Sequence, residues 1–323
     1  MSRDDDLRWL NAAAALAARG RPLSRPNPAV GAVIVSDGIV IGRGFTQAGG
    51  RPHAEAQALA MAGDAARGGT LYVTLEPCAH ASARGPSCTS LLLQSGLARV
   101  VIGMEDPDPR TAGNGIVALQ AAGIAAQVLP CPAAQASLAG YLLRMTQGRP
   151  EVTLKLAVSL DGRIAMADGS SQWITGTEAR AHCHVERARA DAILVGGGTL
   201  RADAPRLDVR LPGLEQRSPQ RMVLTRGAAP QGWTAVADIA APGAFGEAQY
   251  LFVEGGAGAA AAFLAADMVD RLLIYRAPIV IGSGLACIGD IGLESLAQAH
   301  GRWRQVDRRT LGRDALDVYE RAR

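Results

Sequence analysis

The sequence predicts an α/β chain of two domains, each built on a layered sheet. Three observations carry this. Short runs rich in Val, Ile and Leu alternate with alanine-rich helical segments along the chain. The chain has 323 residues, 48% of them apolar, enough for two cores. Gly148 and Pro150 punctuate the chain just before a fresh apolar strand near Val152, which divides it into 1–148 and 149–323.

Taken in order, residues 4–19 read as an amphipathic helix ending at Gly20. "AVGAVIVSDGIVIGRGF" at 29–45 reads as two strands joined at Asp37-Gly38. Residues 53–62 are alanine-rich and helical, and "TLYVTLEP" at 70–77 is a strand stopped by proline. "CTSLLLQSG" at 88–96 is a short helix and "ARVVIGMEDP" at 98–107 a strand. A helix and a strand follow within 114–129. In the second half the strands lie near Val152 and within 190–205, 221–226, 249–266 and 270–284, with glycine turns and a helix between them.

Composition excludes several classes. Net charge is +3; residues 1–150 carry 13 Arg and 10 acids, and the rest 20 basic and 20 acidic residues, with no basic run. Aromatics make up 4%. A nucleic-acid stripe, which interleaves basic and aromatic residues, is not signalled. "AAAALAA" at 12–18 is too short to span a membrane, and no apolar leader follows "MSRDDDLRWL", so a cytoplasmic chain is expected. Five cysteines do not suggest a disulfide framework. Of 33 basic residues only Lys155 is lysine, which reads as chance or as a place where a planar guanidinium does not fit.

"PHAEAQALA" at 52–60 and "LEPCAHASARGPSC" at 75–88 bring one His and two Cys into a short region. His53, Cys78 and Cys88 make three ligands and leave a fourth tetrahedral position for water, the pattern of a catalytic Zn2+. Glu55 is placed to take a proton from that water and pass it to a leaving amine. H-A-E and E-P-C fit the zinc-deaminase signature H-x-E…P-C-x-x-C, but nine residues, not two, separate Cys78 and Cys88. The alternatives are a structural zinc site or two unrelated buried thiols. Cys131, Cys183 and Cys287 have no such context, and His182 and His184 read as a helix surface.

"RPNPAVGAVIV", "PHAEAQAL", "YVTLEPCAHASARGPSC", "EDPDP", "LKLAVSLDGRIA", "SQWITG" and "GGGTLRADAPRLDVR" together resemble the bifunctional deaminase–reductase family of riboflavin biosynthesis, from about residue 7 to residue 290. A wide cysteine spacing is characteristic of that family. The resemblance implies a cytidine-deaminase-like three-layer α/β/α domain and a dihydrofolate-reductase-like α/β domain. It implies deamination of 2,5-diamino-6-ribosylamino-4(3H)-pyrimidinone 5′-phosphate, then reduction of the ribosyl group to ribityl with NADPH, one Zn2+ per chain, and a homo-oligomer. His53, Cys78 and Cys88 match its zinc ligands and Glu55 its proton shuttle. Asn27 matches an asparagine that holds the pyrimidine; the plain reading is a turn at Asn27-Pro28. His80 and Arg84 match ring or phosphate contacts, and Asp106 and Asp108 either line the same pocket or make a turn.

In the second domain, Lys155, Ser171, Arg187, Arg210 and Glu254 match substrate contacts, Arg187 and Arg210 gripping the phosphate. Ala157, Trp173, Gly196, Gly198, Thr199, Asp203, Gly256 and Gly258 match cofactor contacts. Trp173 alone would more often be core. Gly256-x-Gly258-x-x-Ala261 fits a dinucleotide fingerprint, but no acid follows at the required distance, so a Rossmann domain is rejected. Thr225 stands where the family has an aspartate. Two other readings stay open: a nucleic-acid-editing zinc deaminase with an accessory domain, and a chain with only one activity intact.

Overall fold

The computed structural model describes residues 2–80 and 82–323. By its internal contacts the chain divides into two compact units, Met1–Gly148 and Arg149–Arg323.

The first unit contains α1 (Arg3–Ala17), β1 (Gly31–Ser36), β2 (Ile39–Phe45), α2 (Ala54–Ala62), β3 (Thr70–Val73), α3 (Cys88–Leu93), β4 (Arg99–Ile102), α4 (Asn114–Ala121), β5 (Ala125–Val128), α5 (Pro132–Ser137) and α6 (Ala139–Gln147). Its sheet has the order β2-β1-β3-β4-β5. The β1–β2 hairpin and the β1–β3 pair are antiparallel, and β3, β4 and β5 run parallel. A capping box between Ser2 and Asp5 starts α1, with acids in the first turn where the helix dipole favours them. Its Leu10, Ala13, Ala14 and Ala17 recur at helical spacing and are buried. Asp6 is buried against the Arg99 guanidinium at 2.6 Å and the Tyr72 hydroxyl at 2.9 Å, tying α1 to β3 and β4.

Alanine and glycine let helix and sheet approach closely. A Cβ at Gly42 would lie 2.3 Å from the Ala58 carbonyl, and one at Gly44 2.2 Å from that of Ala54. Thus α2 is seated directly on β2, which fixes the position of its first turn.

The second unit contains β6 (Glu151–Val158), β7 (Arg163–Ala165), α7 (Thr177–Arg187), β8 (Ala192–Gly196), α8 (Gly197–Asp203), β9 (Gln220–Leu224), β10 (Thr234–Val236), β11 (Tyr250–Val253), α9 (Ala257–Ala265), β12 (Arg271–Arg276), β13 (Leu285–Ala286), β14 (Trp303–Leu311) and β15 (Asp314–Arg321). The main sheet has the order β10-β9-β8-β11-β6-β12-β15-β14, parallel from β10 to β12 and antiparallel from there to β14. Central β6 alternates strictly: Val152, Leu154, Leu156 and Val158 join the core on one face, while Thr153, Lys155 and Ala157 face the other way, half-buried. In register beside Lys155 and Ala157 stand Leu273 and Tyr275 of β12.

Three elements differ from the sequence reading. The glycine turn at 196–198 opens helix α8. The strand read at 221–226 ends at Leu224, so Thr225 begins the following turn, its hydroxyl accepting the Gly227 N–H at 3.1 Å. The hairpin β14–β15 follows residue 300 and completes the sheet.

Candidate active sites

In the first unit, His53 is the N-cap of α2, which puts its ring at the end of a helix held on β2. Cys78 follows Pro77 in the loop after β3, and Cys88 opens α3 behind its N-cap Ser87. These elements converge: His53 Nδ1 lies 3.2 Å from Cys88 Sγ and 3.6 Å from Cys78 Sγ, and the three ligand atoms lie within 4.8 Å of one another. It is the one such cluster among the described residues. The Cys88 N–H and thiol and the His53 ring stabilise the Cys78 thiolate against the opposing effect of burial, and its pKa falls to about 4. Their proton stays on Cys88, whose thiol is pushed well above its ordinary value by that same bond and by burial. An imidazole nitrogen with two sulfurs suits Zn2+.

Glu55, in the first turn of α2, is 3% exposed, and its Oε2 has no hydrogen-bond partner. Burial raises its pKa, opposed by the charge on His53. It is a carboxylate placed to gain and lose a proton. On the other side of the ring, the Asn27 amide lies 3.0 Å from His53 Nε2. Asn27 thus orients the imidazole from the nitrogen turned away from the sulfurs. His80 Nδ1 lies 3.3 Å from the buried Thr111 hydroxyl. Arg84 is exposed and donates to the Gly49 carbonyl at 2.5 Å. Asp106 accepts from the Tyr141 hydroxyl at 2.7 Å, while Asp108 pairs with Arg110 two residues on, as in a turn.

In the second unit a cavity of about 950 Å³ opens on the face of β6 that carries Lys155. Every residue matched to a substrate or cofactor contact in this half lies on its wall: Lys155, Ala157, Ser171, Trp173, Arg187, Gly196, Gly198, Thr199, Asp203, Arg210, Glu254, Gly256 and Gly258. The Thr199 hydroxyl accepts the Gly256 N–H at 3.1 Å and so joins the two glycine segments. Trp173 is 63% exposed, with the Arg180 guanidinium 5.0 Å from its ring centre, and is not a core residue.

Glu254 is the electrostatic centre. Arg187 Nε and Nη2 donate to its two oxygens at 2.5 and 2.9 Å, Lys155 Nζ lies 3.6 Å away, and the Cys183 thiol donates at 3.5 Å. Burial opposes its ionisation, but Lys155 and Arg187 outweigh it and bring its pKa down to about 2. The third Arg187 nitrogen donates to the Asp208 carbonyl at 3.0 Å. All three guanidinium nitrogens of Arg187 therefore have acceptors within the protein, two of them on Glu254.

Sequence reasoning passed over Cys183 and His184. Both are buried and line the cavity, so the helix-surface reading of His184 is corrected. His182, two residues away, faces elsewhere and bonds the Tyr275 hydroxyl at 2.8 Å, so the H-x-H pair does not converge. The signal was present: Arg180, Cys183, His184 and Arg187 recur at helical spacing and share one face. Thr225 is not on the cavity wall.

No helix among the described residues is long and apolar enough to cross a membrane. The profile of the cytidine and deoxycytidylate deaminase zinc-binding region matches residues 3–104, and that of the RibD C-terminal domain matches 150–241 and 244–316. The riboflavin biosynthesis protein RibD of Escherichia coli is 39% identical, over 88% of this chain and 91% of its own length. A solved structure of Acinetobacter baumannii RibD superposes with a TM-score of 0.89 at 34% identity, covering 100% of both chains. One from Thermotoga maritima, described as a diaminohydroxyphosphoribosylaminopyrimidine deaminase/5-amino-6-(5-phosphoribosylamino)uracil reductase, gives 0.87 at 29% identity, covering 99% of both.

Proposed function

The chain belongs to the RibD family, bifunctional deaminase–reductases of riboflavin biosynthesis, and on that premise we propose how its residues divide the two reactions. The first unit deaminates a phosphorylated diaminopyrimidinone bearing a ribosylamino group. The second reduces the ribosyl group to ribityl with NADPH. One observation carries the reading: a His-Cys-Cys triplet beside a buried carboxylate with one unpartnered oxygen, and a Lys155–Glu254 pair in a large cavity, occur in one chain.

His53 Nδ1, Cys78 Sγ and Cys88 Sγ would hold Zn2+, which when bound would supply an acidified water, with a pKa of about 7. Asn27 keeps the His53 ring in place. Glu55 accepts a proton from the attacking water and delivers it to the departing amine, a task suited to a carboxylate whose pKa is raised by burial. His80, on the zinc-ligand loop, contacts the substrate, as does Arg84.

In the second unit NADPH, when bound, supplies the hydride. The glycine segments at Gly196–Gly198 and Gly256–Gly258, joined by Thr199, let backbone approach the cofactor closely. Ala157, Trp173 and Asp203 complete its binding wall. Glu254 fixes the Lys155 ammonium beside the reacting ribosyl group, and Arg187 keeps Glu254 ionised. Ser171 and Arg210 bind the substrate phosphate. The protein acts in the cytoplasm as a homo-oligomer on this small molecule, without nucleic acid.

Separating the half-reactions tests this. Glu55→Gln cuts ammonia release by about 10²- to 10⁴-fold yet still oxidises NADPH when given the deaminated intermediate. Lys155→Met releases ammonia and oxidises no NADPH. A variant that loses both signals, or neither, contradicts the division.

A further inference from the structure

We infer that His184 is a positioning residue for the phosphate-binding wall of the second unit: its Nδ1 accepts the Arg210 backbone N–H and locks the strap Leu207–Arg210 against α7. This rests on the reductase reading above.

The strap lies between α8 and the next sheet strand and has no ladder partner among the described residues. Its backbone groups are satisfied by side chains. The Asp208 carbonyl takes Arg187 Nη1 at 3.0 Å, the Val209 N–H goes to the Ser218 hydroxyl at 3.0 Å, and the Arg210 N–H goes to His184 Nδ1 at 3.2 Å. Leu207 and Val209 point inward and are buried, which turns Asp208 and Arg210 outward. Of the cations on the cavity wall, Lys155 and Arg187 are committed to Glu254 and Arg180 to Trp173. Arg210 is 46% exposed and has only the surface carboxylate of Asp208, which it shares with Arg206. Arg206 stands on the same wall with the same partner, and of these two it is Arg210 whose backbone N–H His184 holds, so His184 sets where that phosphate-gripping guanidinium starts from.

The lock requires an unprotonated Nδ1. Burial and the nearby Arg187 and Arg210 charges hold the His184 pKa below its ordinary 6.5, opposed by Glu254 and the Asp208 carbonyl. The lock is therefore closed at neutral pH and opens as the pH falls through that lowered value.

The test uses the full chain with the deaminated, phosphorylated substrate and NADPH. His184→Ala raises KM for that substrate about five- to tenfold, as expected for a lost buried hydrogen bond. It leaves kcat and KM for NADPH unchanged and weakens competitive inhibition by inorganic phosphate by the same factor. His184→Asn, whose side-chain oxygen can replace Nδ1, restores KM. The phosphate's own titration near a pKa of about 6 affects both proteins alike. Wild-type KM consequently shows an additional rise as the pH falls through the lowered His184 pKa, a rise that His184→Asn lacks. An unchanged KM in His184→Ala, failure of Asn to rescue, or parallel losses in kcat and NADPH binding overturn the inference. If wild-type protein oxidises no NADPH, the reductase reading fails instead.

Discussion

Removing Arg187 exposes the cost of a buried carboxylate. Glu254 has 9% of its side chain exposed, and two of its four charged or polar contacts come from Arg187 at 2.5 and 2.9 Å; Lys155 at 3.6 Å and the Cys183 thiol at 3.5 Å are longer. Breaking such a pair by truncating one member costs about 3–5 kcal/mol, against less than about 1 kcal/mol for an exposed pair. The pH dependence has a definite sign. In the wild type Glu254 titrates at about 2, below its ordinary 4.5, so its contribution is full above pH 4.5 and is lost as the pH falls toward 2. That displacement corresponds to about 3 kcal/mol, in line with the truncation cost. Without Arg187, burial is opposed only by Lys155 and the Cys183 thiol, and the Glu254 pKa moves up. Arg187→Met then has less of this stability to lose on acidification. Trp173, Trp233 and Trp303 all lie in the second unit, so urea unfolding followed by tryptophan fluorescence in a Trp9→Phe background reports on this unit alone. The expected result at pH 7 is a loss of at least about 3 kcal/mol for Arg187→Met, shrinking as the pH falls below 4.5, and a coupling of about 2 kcal/mol with Glu254→Gln in a double-mutant cycle. A cost under about 1 kcal/mol, a loss that grows on acidification, or strict additivity refutes the reasoning.

Three other outcomes follow from the first unit. Glu55→Gln keeps one zinc per chain by elemental analysis while kcat for ammonia release falls by about 10²- to 10⁴-fold. Cys78→Ser loses zinc on dialysis against a chelator that the wild type withstands, and its deaminase activity falls with the metal. Gly44→Ala places a methyl 2.2 Å from the Ala54 carbonyl and pushes α2 off β2; thermal unfolding should show a loss of about 1–3 kcal/mol, with ammonia release falling because His53 and Glu55 ride on that helix.

Much of this was legible because it is local. Alternating strand and helix signals placed most elements of the first unit, and H-A-E, E-P-C and the later Cys88 named four side chains that the fold brings together. What escaped depends on long-range packing. The capture of Arg187 by Glu254 joins residues 67 apart in sequence, and nothing in either segment announces it. The sequence reads His184 as helix surface because no partner stands near it in the chain; on a helix its neighbours are Arg180 and Arg187, and it serves an N–H 26 residues away. Hairpin β14–β15, with its many arginines and exposed outer strand, carries too little apolar alternation to be read as sheet, and gains its place by pairing with β12. Thr225 drew attention as a departure, yet its hydroxyl serves the turn after β9.

The central claim is that both activities reside in this one chain. The most direct measurement follows ammonia release and NADPH oxidation separately, with purified zinc-replete wild-type protein and the diaminopyrimidinone ribosyl phosphate. The account predicts both signals, one NADPH oxidised per ammonia released once the intermediate has turned over. Ammonia without NADPH oxidation, or neither signal, contradicts it.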